Sequence, residues 1–321
     1  MSHPLLIIGP DIKTRGVGGV TIHVQRLRDY LDLNDVEYAF KDSRGNSLLS
    51  LLRDIKQYDL VHFNLSNPVL QFVLVVYSRI IGKKVVMTLH GNYGRFGWLK
   101  NSMVRIAIRC ATVPIVINEQ SYEACKKLNK RIQLIPAFIP PQKEEPLQNE
   151  AVELLERLHT EGRKIFSTNA SNVAQDKFGQ DIYGVDFLID YFQDKKEDAL
   201  VISDPTGNYK KRYCNLQFDN IFFIDYPHPY FEVLKRADYF IRNTSTDGDA
   251  LSVKEALWLG VPALCTDVVD RPKGVRLFKY NDKDSFEECL NSNDAQYHVR
   301  IINGAEDVLK KYKELICPRL P

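Results

Sequence analysis

Short apolar runs alternate along this chain with longer stretches of helical spacing. Leu5-Leu-Ile-Ile8 is a buried-strand pattern, followed by a glycine loop and a helical pattern from Val20 to Leu31. Leu60–Phe63, Lys84–Leu89 and Thr112–Ile117 read as further strands, and Arg131–Ile135 closes this first set. Pro136 to Pro146 is Pro-rich and charged, as a linker is. A helix over Glu150–His159 then leads to strands at Lys164–Thr168, Ala199–Ser203, Asn220–Ile224, Tyr239–Arg242 and Pro262–Cys265. Strands alternating with helices predict parallel sheets, so the fold class is α/β with two Rossmann-like domains, 1–141 and 142–321. The last helix is free to pack back on the first domain. The longest apolar stretch, Val69 to Ile81, is interrupted by Gln71, Ser78 and Arg79. It falls short of the ~18 residues that span a bilayer and reads as a buried helix.

Composition agrees with a globular chain: 321 residues, 44% hydrophobic and 26% charged. Met1-Ser-His-Pro4 has no basic segment ahead of an apolar one, so no signal peptide is expected. The six cysteines are scattered, without metal-ligand spacing, which favours reduced thiols and a cytoplasmic location. The net charge of +2 hides an asymmetry. Residues 1–141 carry 19 Lys/Arg against 10 Asp/Glu, and residues 142–321 carry 24 against 31. A basic first half points to an anionic partner. Trp98 to Arg109, with Lys100, Arg105 and Arg109 among apolar residues, is patterned as an interfacial helix. An anionic membrane surface is therefore an expected partner, reached peripherally from the inner face. Nucleic acid is not, since no nucleic-acid motif or aromatic platform accompanies the charge.

The densest chemistry lies in Asp247-Gly-Asp-Ala-Leu-Ser-Val-Lys-Glu255-Ala-Leu-Trp-Leu-Gly-Val-Pro262. Two carboxylates stand eight positions apart, with a loop-to-helix passage between them. Ser252 is placed as an N-cap and Glu255 three residues later as its capping-box partner. The N–H groups of Val253, Lys254 and Glu255 are then expected to face out of a helix start that favours an anion.

This segment, through Thr266, resembles the E-x7-E signature of retaining glycosyltransferases of the GT-B fold, particularly family 4 (group 1) of bacterial polysaccharide synthesis, with Asp in place of the first Glu. The resemblance implies two Rossmann-like domains with parallel sheets facing across a cleft, the first on the acceptor side and the second binding a nucleotide-sugar. It implies that Glu255 holds the ribose and that Asp247 contacts the donor sugar, and Leu251, Ser252 and Val253 are counted with them as donor-binding residues. In Arg15-Gly-Val-Gly-Gly-Val-Thr-Ile-His23, Gly18 and Gly19 match the glycine pair beside the donor diphosphate. His90, directly after the Lys84–Leu89 strand, matches the active-site histidine and is preferred to His62, which sits inside a strand. Asn169, ending the Lys164 strand, completes the donor set.

The family's Arg/Lys diphosphate clamp is missing. Tyr183 stands where the lysine is expected, and no Arg ends the Lys164 strand. Lys177, Arg242, Lys254 and Arg271 are the candidate substitutes. Arg242, ending a strand just before the Asp247 loop, is the best placed. The expected activity is retaining, metal-independent transfer of a hexose or related sugar from a nucleotide-sugar to a glycan or lipid-linked acceptor in cell-surface polysaccharide biosynthesis, with no cofactor. Three alternatives stay open: a GT-B-fold nucleotide-sugar epimerase, a non-catalytic binder of an anionic ligand, and a GT-A glycosyltransferase that holds Mn²⁺ or Mg²⁺ on Asp247-Gly-Asp249 as a D-x-D.

Overall fold

The structure, a computed structural model, describes residues 5–15, 18–170, 172–176, 178–247, 250–292 and 301–316. Residues 1–4, Gly16, Val17, Lys177, Gly248 and Asp249, named above, lie outside the described residues. The chain divides into two compact units, Met1–Lys143 with Ile302–Pro321, and Glu144–Ile301.

The first unit runs β1 (Leu5–Gly9), α1 (Ile12–Arg15), α2 (Gly19–Leu33), β2 (Ala39–Asp42), α3 (Leu48–Ile55), β3 (Leu60–Leu65), α4 (Pro68–Ile80), β4 (Lys84–Leu89), α5 (Trp98–Cys110), β5 (Val113–Val116), α6 (Glu119–Cys125) and β6 (Gln133–Leu134). All strands pair in parallel, in the order β2-β1-β3-β4-β5-β6. Side chains alternate across each strand, so successive residues of β1 enter different cores. Leu6 and Ile8 join the layer covered by α3, α4 and α5. Leu5 and Ile7 join the layer covered by α2.

The second unit runs α7 (Asn149–Thr160), β7 (Lys164–Asn169), α8 (Val185–Phe192), β8 (Asp198–Ser203), α9 (Asn208–Arg212), β9 (Ile221–Ile224), α10 (Tyr230–Leu234), β10 (Tyr239–Arg242), α11 (Leu251–Leu259), β11 (Ala263–Thr266), β12 (Arg276–Phe278) and α12 (Lys283–Asn291). Its sheet is parallel in the order β12-β11-β10-β7-β8-β9. The strand order reverses between β7 and β10, the switch point at which open α/β sheets hold ligands. α8 and α12 fill one core, and α7, α10 and α11 fill the other.

The final helix, α13 (Gly304–Ile316), packs in the first unit. Ala305, Val308, Leu309 and Tyr312 sit against Leu5, Ile7, Leu27 and Leu31. Gly304 permits this approach, because a Cβ there would collide with the Pro136 carbonyl oxygen.

Three sequence expectations are corrected here. The segment from Pro136 is not all linker. Phe138 and Ile139 are buried, Ile139 in the core with α13, and the carbonyls of Ala137 and Ile139 accept from His23 and Arg26. Val69–Ile81 is not a wholly buried helix either. α4 buries Leu74 and Val75 but leaves Val69 and Ile80 exposed, because only its inner side meets the sheet. The third correction concerns the start of α11. Ala250 is its N-cap, a residue whose side chain has no oxygen to cap with. Ser252 is therefore inside the first turn, and no capping box forms with Glu255. Burial of Val253, Ala256 and Leu257 against Phe240, Ala263 and Cys265 sets the register of the helix, and packing overrides the capping signal. The first-turn N–H groups are consequently those of Leu251, Ser252 and Val253, rather than Val253, Lys254 and Glu255. No helix among the described residues is long and apolar enough to cross a membrane. The five described cysteines are free thiols.

Candidate active site

In the second unit, Tyr239 and Phe240 of β10 pair with Phe166 and Ser167 of β7. Arg242 and Asn169, two residues further along, thus end their strands side by side at the switch point. The Arg242 guanidinium reaches across and donates to the main-chain and side-chain oxygens of Asn169 at 3.3 and 3.2 Å. The end of β7, which lacks its own arginine, receives one from the neighbouring strand.

Asp247 binds the same guanidinium in a fork, with Nε to Oδ2 and Nη2 to Oδ1 both at 3.0 Å. Arg271 adds a second cation, donating from Nη1 to Asp247 Oδ2 at 2.7 Å. The three side chains are 11%, 7% and 3% exposed for Arg242, Asp247 and Arg271. Burial pushes the Asp247 carboxyl up, but bonding to Arg242 and then Arg271 outweighs it and holds the pKa below the usual carboxylate value. Arg242 is likewise pushed down by burial and raised on balance by Asp247. Two guanidiniums against one carboxylate leave a net positive charge at the strand ends.

Surrounding groups fix this cluster. Arg271 also donates to the Thr266 carbonyl at 3.0 Å, and the Thr266 hydroxyl donates to the Thr244 carbonyl at 2.8 Å. Tyr183 takes no cationic part, but its ring lies under Arg242 at 5.3 Å, a cation–π support for the arginine. Glu255 and Ser252 are buried in α11. Burial raises the Tyr230 phenol pKa, and the nearby Glu255 carboxylate adds to it. At the neighbouring strand end, the Ser203 hydroxyl meets His228 Nε2 at 2.6 Å, while His228 Nδ1 is bonded to the Tyr226 carbonyl.

In the first unit, His90 is buried, with Nε2 3.0 Å from Asn64 Oδ1 at the end of β3. Its ring packs edge-on to His23 of α2, centroids 4.8 Å apart. Burial, then the neighbouring His23, His62 and Arg95, hold its pKa well below the ordinary imidazole value, so the ring is neutral. Donation from Nε2 leaves Nδ1 as an acceptor. His62 is different in kind. It bridges the Thr88 hydroxyl at 2.8 Å and the Tyr312 hydroxyl within the core, and burial lowers its pKa to about 3. Gly18 caps α2 and Gly19 opens it; a Cβ on Gly19 would meet nothing within 4 Å.

The structure thus brings Asn169, Arg242 and Asp247 together in one unit, and His23 and His90 in the other. Arg271 is the member that sequence reasoning placed only among several candidate cations. Its signal was its place just after the β11 strand. The bracing by Thr244, Thr266 and Tyr183 carried no sequence signal.

No family model matches this chain, and no curated protein matches it in sequence. Solved structures do resemble it. One is a putative UDP-N-acetylglucosamine 2-epimerase from Listeria monocytogenes, with a TM-score of 0.65, 13% identity, and coverage of 98% of this chain and 96% of that one. Another is sucrose-phosphate synthase from Thermosynechococcus elongatus, at 0.59 and 14%, covering 98% and 96%. A third is the catalytic domain of starch synthase IV from Arabidopsis thaliana, bound to ADP and acarbose, at 0.58 and 12%, covering 98% and 99%. With two parallel Rossmann-like units matched over nearly their whole length, the chain has the GT-B fold.

Proposed function

We propose that this protein is a glycosyltransferase that moves a hexose or related sugar from a nucleotide-sugar to a glycan or lipid-linked acceptor, with retention, in cell-surface polysaccharide biosynthesis at the cytoplasmic side of the membrane. The observation that carries the reading is the Arg242–Asp247–Arg271 cluster at the β7/β10 switch point. A buried net positive charge of fixed geometry suits a diphosphate, which gathers charge as the bond to the sugar breaks. Asp247 positions the two guanidiniums, and the first-turn N–H groups of Leu251, Ser252 and Val253 supply further donors. Glu255 is assigned to the ribose. His90, neutral and with Nδ1 as its acceptor nitrogen, is assigned to a sugar hydroxyl, with Gly18 and Gly19 allowing close backbone approach to the donor.

In the step itself the acceptor hydroxyl oxygen bonds to the anomeric carbon as the bond from that carbon to the diphosphate oxygen breaks. The electron pair leaves with the nucleoside diphosphate, and the hydroxyl proton passes to the departing oxygen on the same face. The reading requires no metal: both Asp247 oxygens accept from guanidiniums, which opposes its use as a D-x-D ligand. The test is a panel of UDP-, GDP- and ADP-sugars with glycan and lipid-diphosphate acceptors, read by nucleotide release and product stereochemistry, with and without EDTA. Release from one donor, unaffected by EDTA and giving a retained linkage, is expected. Isomerisation of the sugar without any acceptor would assign the protein to the epimerases, and consumption of no donor would make it a binder.

A further inference from the structure

α3, α4 and α5 cover one face of the first sheet, and their outward surface is unlike that of an ordinary soluble layer. On α4, Val69 and Ile80 are exposed and the half-buried Phe72, Val73 and Val76 lie between them on the same helical stripe, where a surface helix normally carries polar residues. Ile80 is 77% exposed. Beside it, α5 leaves Trp98 81% exposed, and Leu99 and Ile106, seven positions apart, also face out. α3 adds Leu49 at 75%. Of the fourteen large apolar side chains most exposed among the described residues, seven lie on these three helices. Apolar exposure concentrated on one helical layer in this way marks an interaction surface.

Charge identifies the partner. Between Asp59 and Glu119 the chain has no acidic residue, but it has Arg79, Lys83, Lys84, Arg95, Lys100, Arg105 and Arg109. Arg105 and Arg109 stand on the outward side of α5 in line with Trp98 and Ser102. None of Arg95, Lys100, Arg105 and Arg109 is in an ion pair among the described residues. A second copy of this chain would set like charges against each other. A nucleic acid would leave the valine, leucine and isoleucine side chains in water. A bilayer with anionic headgroups satisfies both, taking the apolar side chains below the headgroups and the cations among them.

We infer that the outward surface of α3, α4 and α5 docks the protein on an anionic lipid bilayer. The docking stands independently of the transferase reading. The intact protein is sedimented with vesicles of phosphatidylcholine alone and with added phosphatidylglycerol, at 0.05 and about 0.5 M salt. In a Trp258→Phe background, Trp98 emission reports insertion. Binding to the anionic vesicles, weakened by salt and accompanied by a blue shift, is expected. Each cation near such a surface gives about a five-fold gain, so Arg105→Gln/Arg109→Gln is expected to bind about 25-fold more weakly. Trp98→Ser/Ile80→Ser should also release the protein, and since all four side chains are exposed, thermal unfolding should be unchanged. Absence of binding, salt-insensitive binding equal on both vesicles, or binding unaltered by both double variants would overturn the inference. So would a concentration-dependent dimer, seen by ultracentrifugation, that these variants dissociate.

Discussion

Arg242 and Asn169 end adjacent parallel strands, and the guanidinium of the first donates to both oxygens of the second. This contact puts a cation at the end of β7 although β7 carries none, and Asp247 and Arg271 lock it there. Arg242→Lys keeps the charge but loses the fork. Nucleoside diphosphate affinity, measured by calorimetry, is expected to fall by about 1.5–3 kcal/mol. Asp247→Asn leaves two buried cations without their anion. It is expected to destabilise by about 3 kcal/mol in urea unfolding, the lower end for a broken buried pair because Arg242 keeps some solvent. An Asp247→Asn protein with unchanged stability and unchanged affinity would show that the cluster is not coupled.

Glu255 is buried in α11 two residues after Val253. Glu255→Gln retains the shape and removes the charge. Donor affinity should weaken by about 1.5–3 kcal/mol with the fold intact. Calorimetry with the preferred nucleotide and with its 2′,3′-dideoxy analogue checks the assignment, because the variant and the wild type should bind the analogue alike.

His90 and His62 are both buried, yet their neighbours differ. His90→Ala is expected to lower turnover about 100-fold, the scale of a lost polar contact to a transition state, with little change in melting temperature. His62→Ala should do the reverse, since it removes the link between Thr88 and Tyr312 inside the core. Loss of stability without loss of turnover in His90→Ala would make His90 a core residue.

Stability is expected to depend on pH through these histidines. His62 is held to about 3 by burial, and His90 is also held well below its ordinary value. The unfolded chain therefore binds protons that the folded chain refuses, and stability falls as pH drops below about 6.5, by about 1.4 kcal/mol per unit for each such group. Asp247, depressed in the folded state, adds a loss only at lower pH, below its unfolded value of about 3.9. Urea unfolding at pH 7, 6 and 5 should show the slope, and His62→Gln should reduce it. A flat profile would contradict neutral burial.

Most of the central strands were legible because parallel strands buried on both faces are continuous apolar runs, as in Lys84–Leu89 and Ala199–Ser203. β2 and β12 were not, since Ala39-Phe-Lys-Asp42 and Arg276-Leu-Phe278 are short and mix charged with apolar residues, so they carry little apolar signal. Arg242 could be chosen from its place at a strand end. Its bonds to Asn169 and Arg271's share of Asp247 could not, because they depend on which strands are neighbours and on a loop fold 24 residues downstream. Ser252 misled for a related reason: a capping signal is local, and the register of α11 was decided by its buried face. Val69–Ile81 misled because hydrophobicity shows that a helix seeks cover without showing whether this chain supplies it.

The contribution of α13 to the first core has a consequence for how the protein is made. A chain growing from its N-terminus completes β1 to β6 while Tyr312 has yet to be synthesised, so the Leu5–Ile7–Leu27 face waits without Ala305, Val308 and Leu309 over it. The second unit is one continuous stretch, Glu144–Ile301, and can close as soon as it has emerged. Order of synthesis and order of completion are reversed: the unit begun first is finished last.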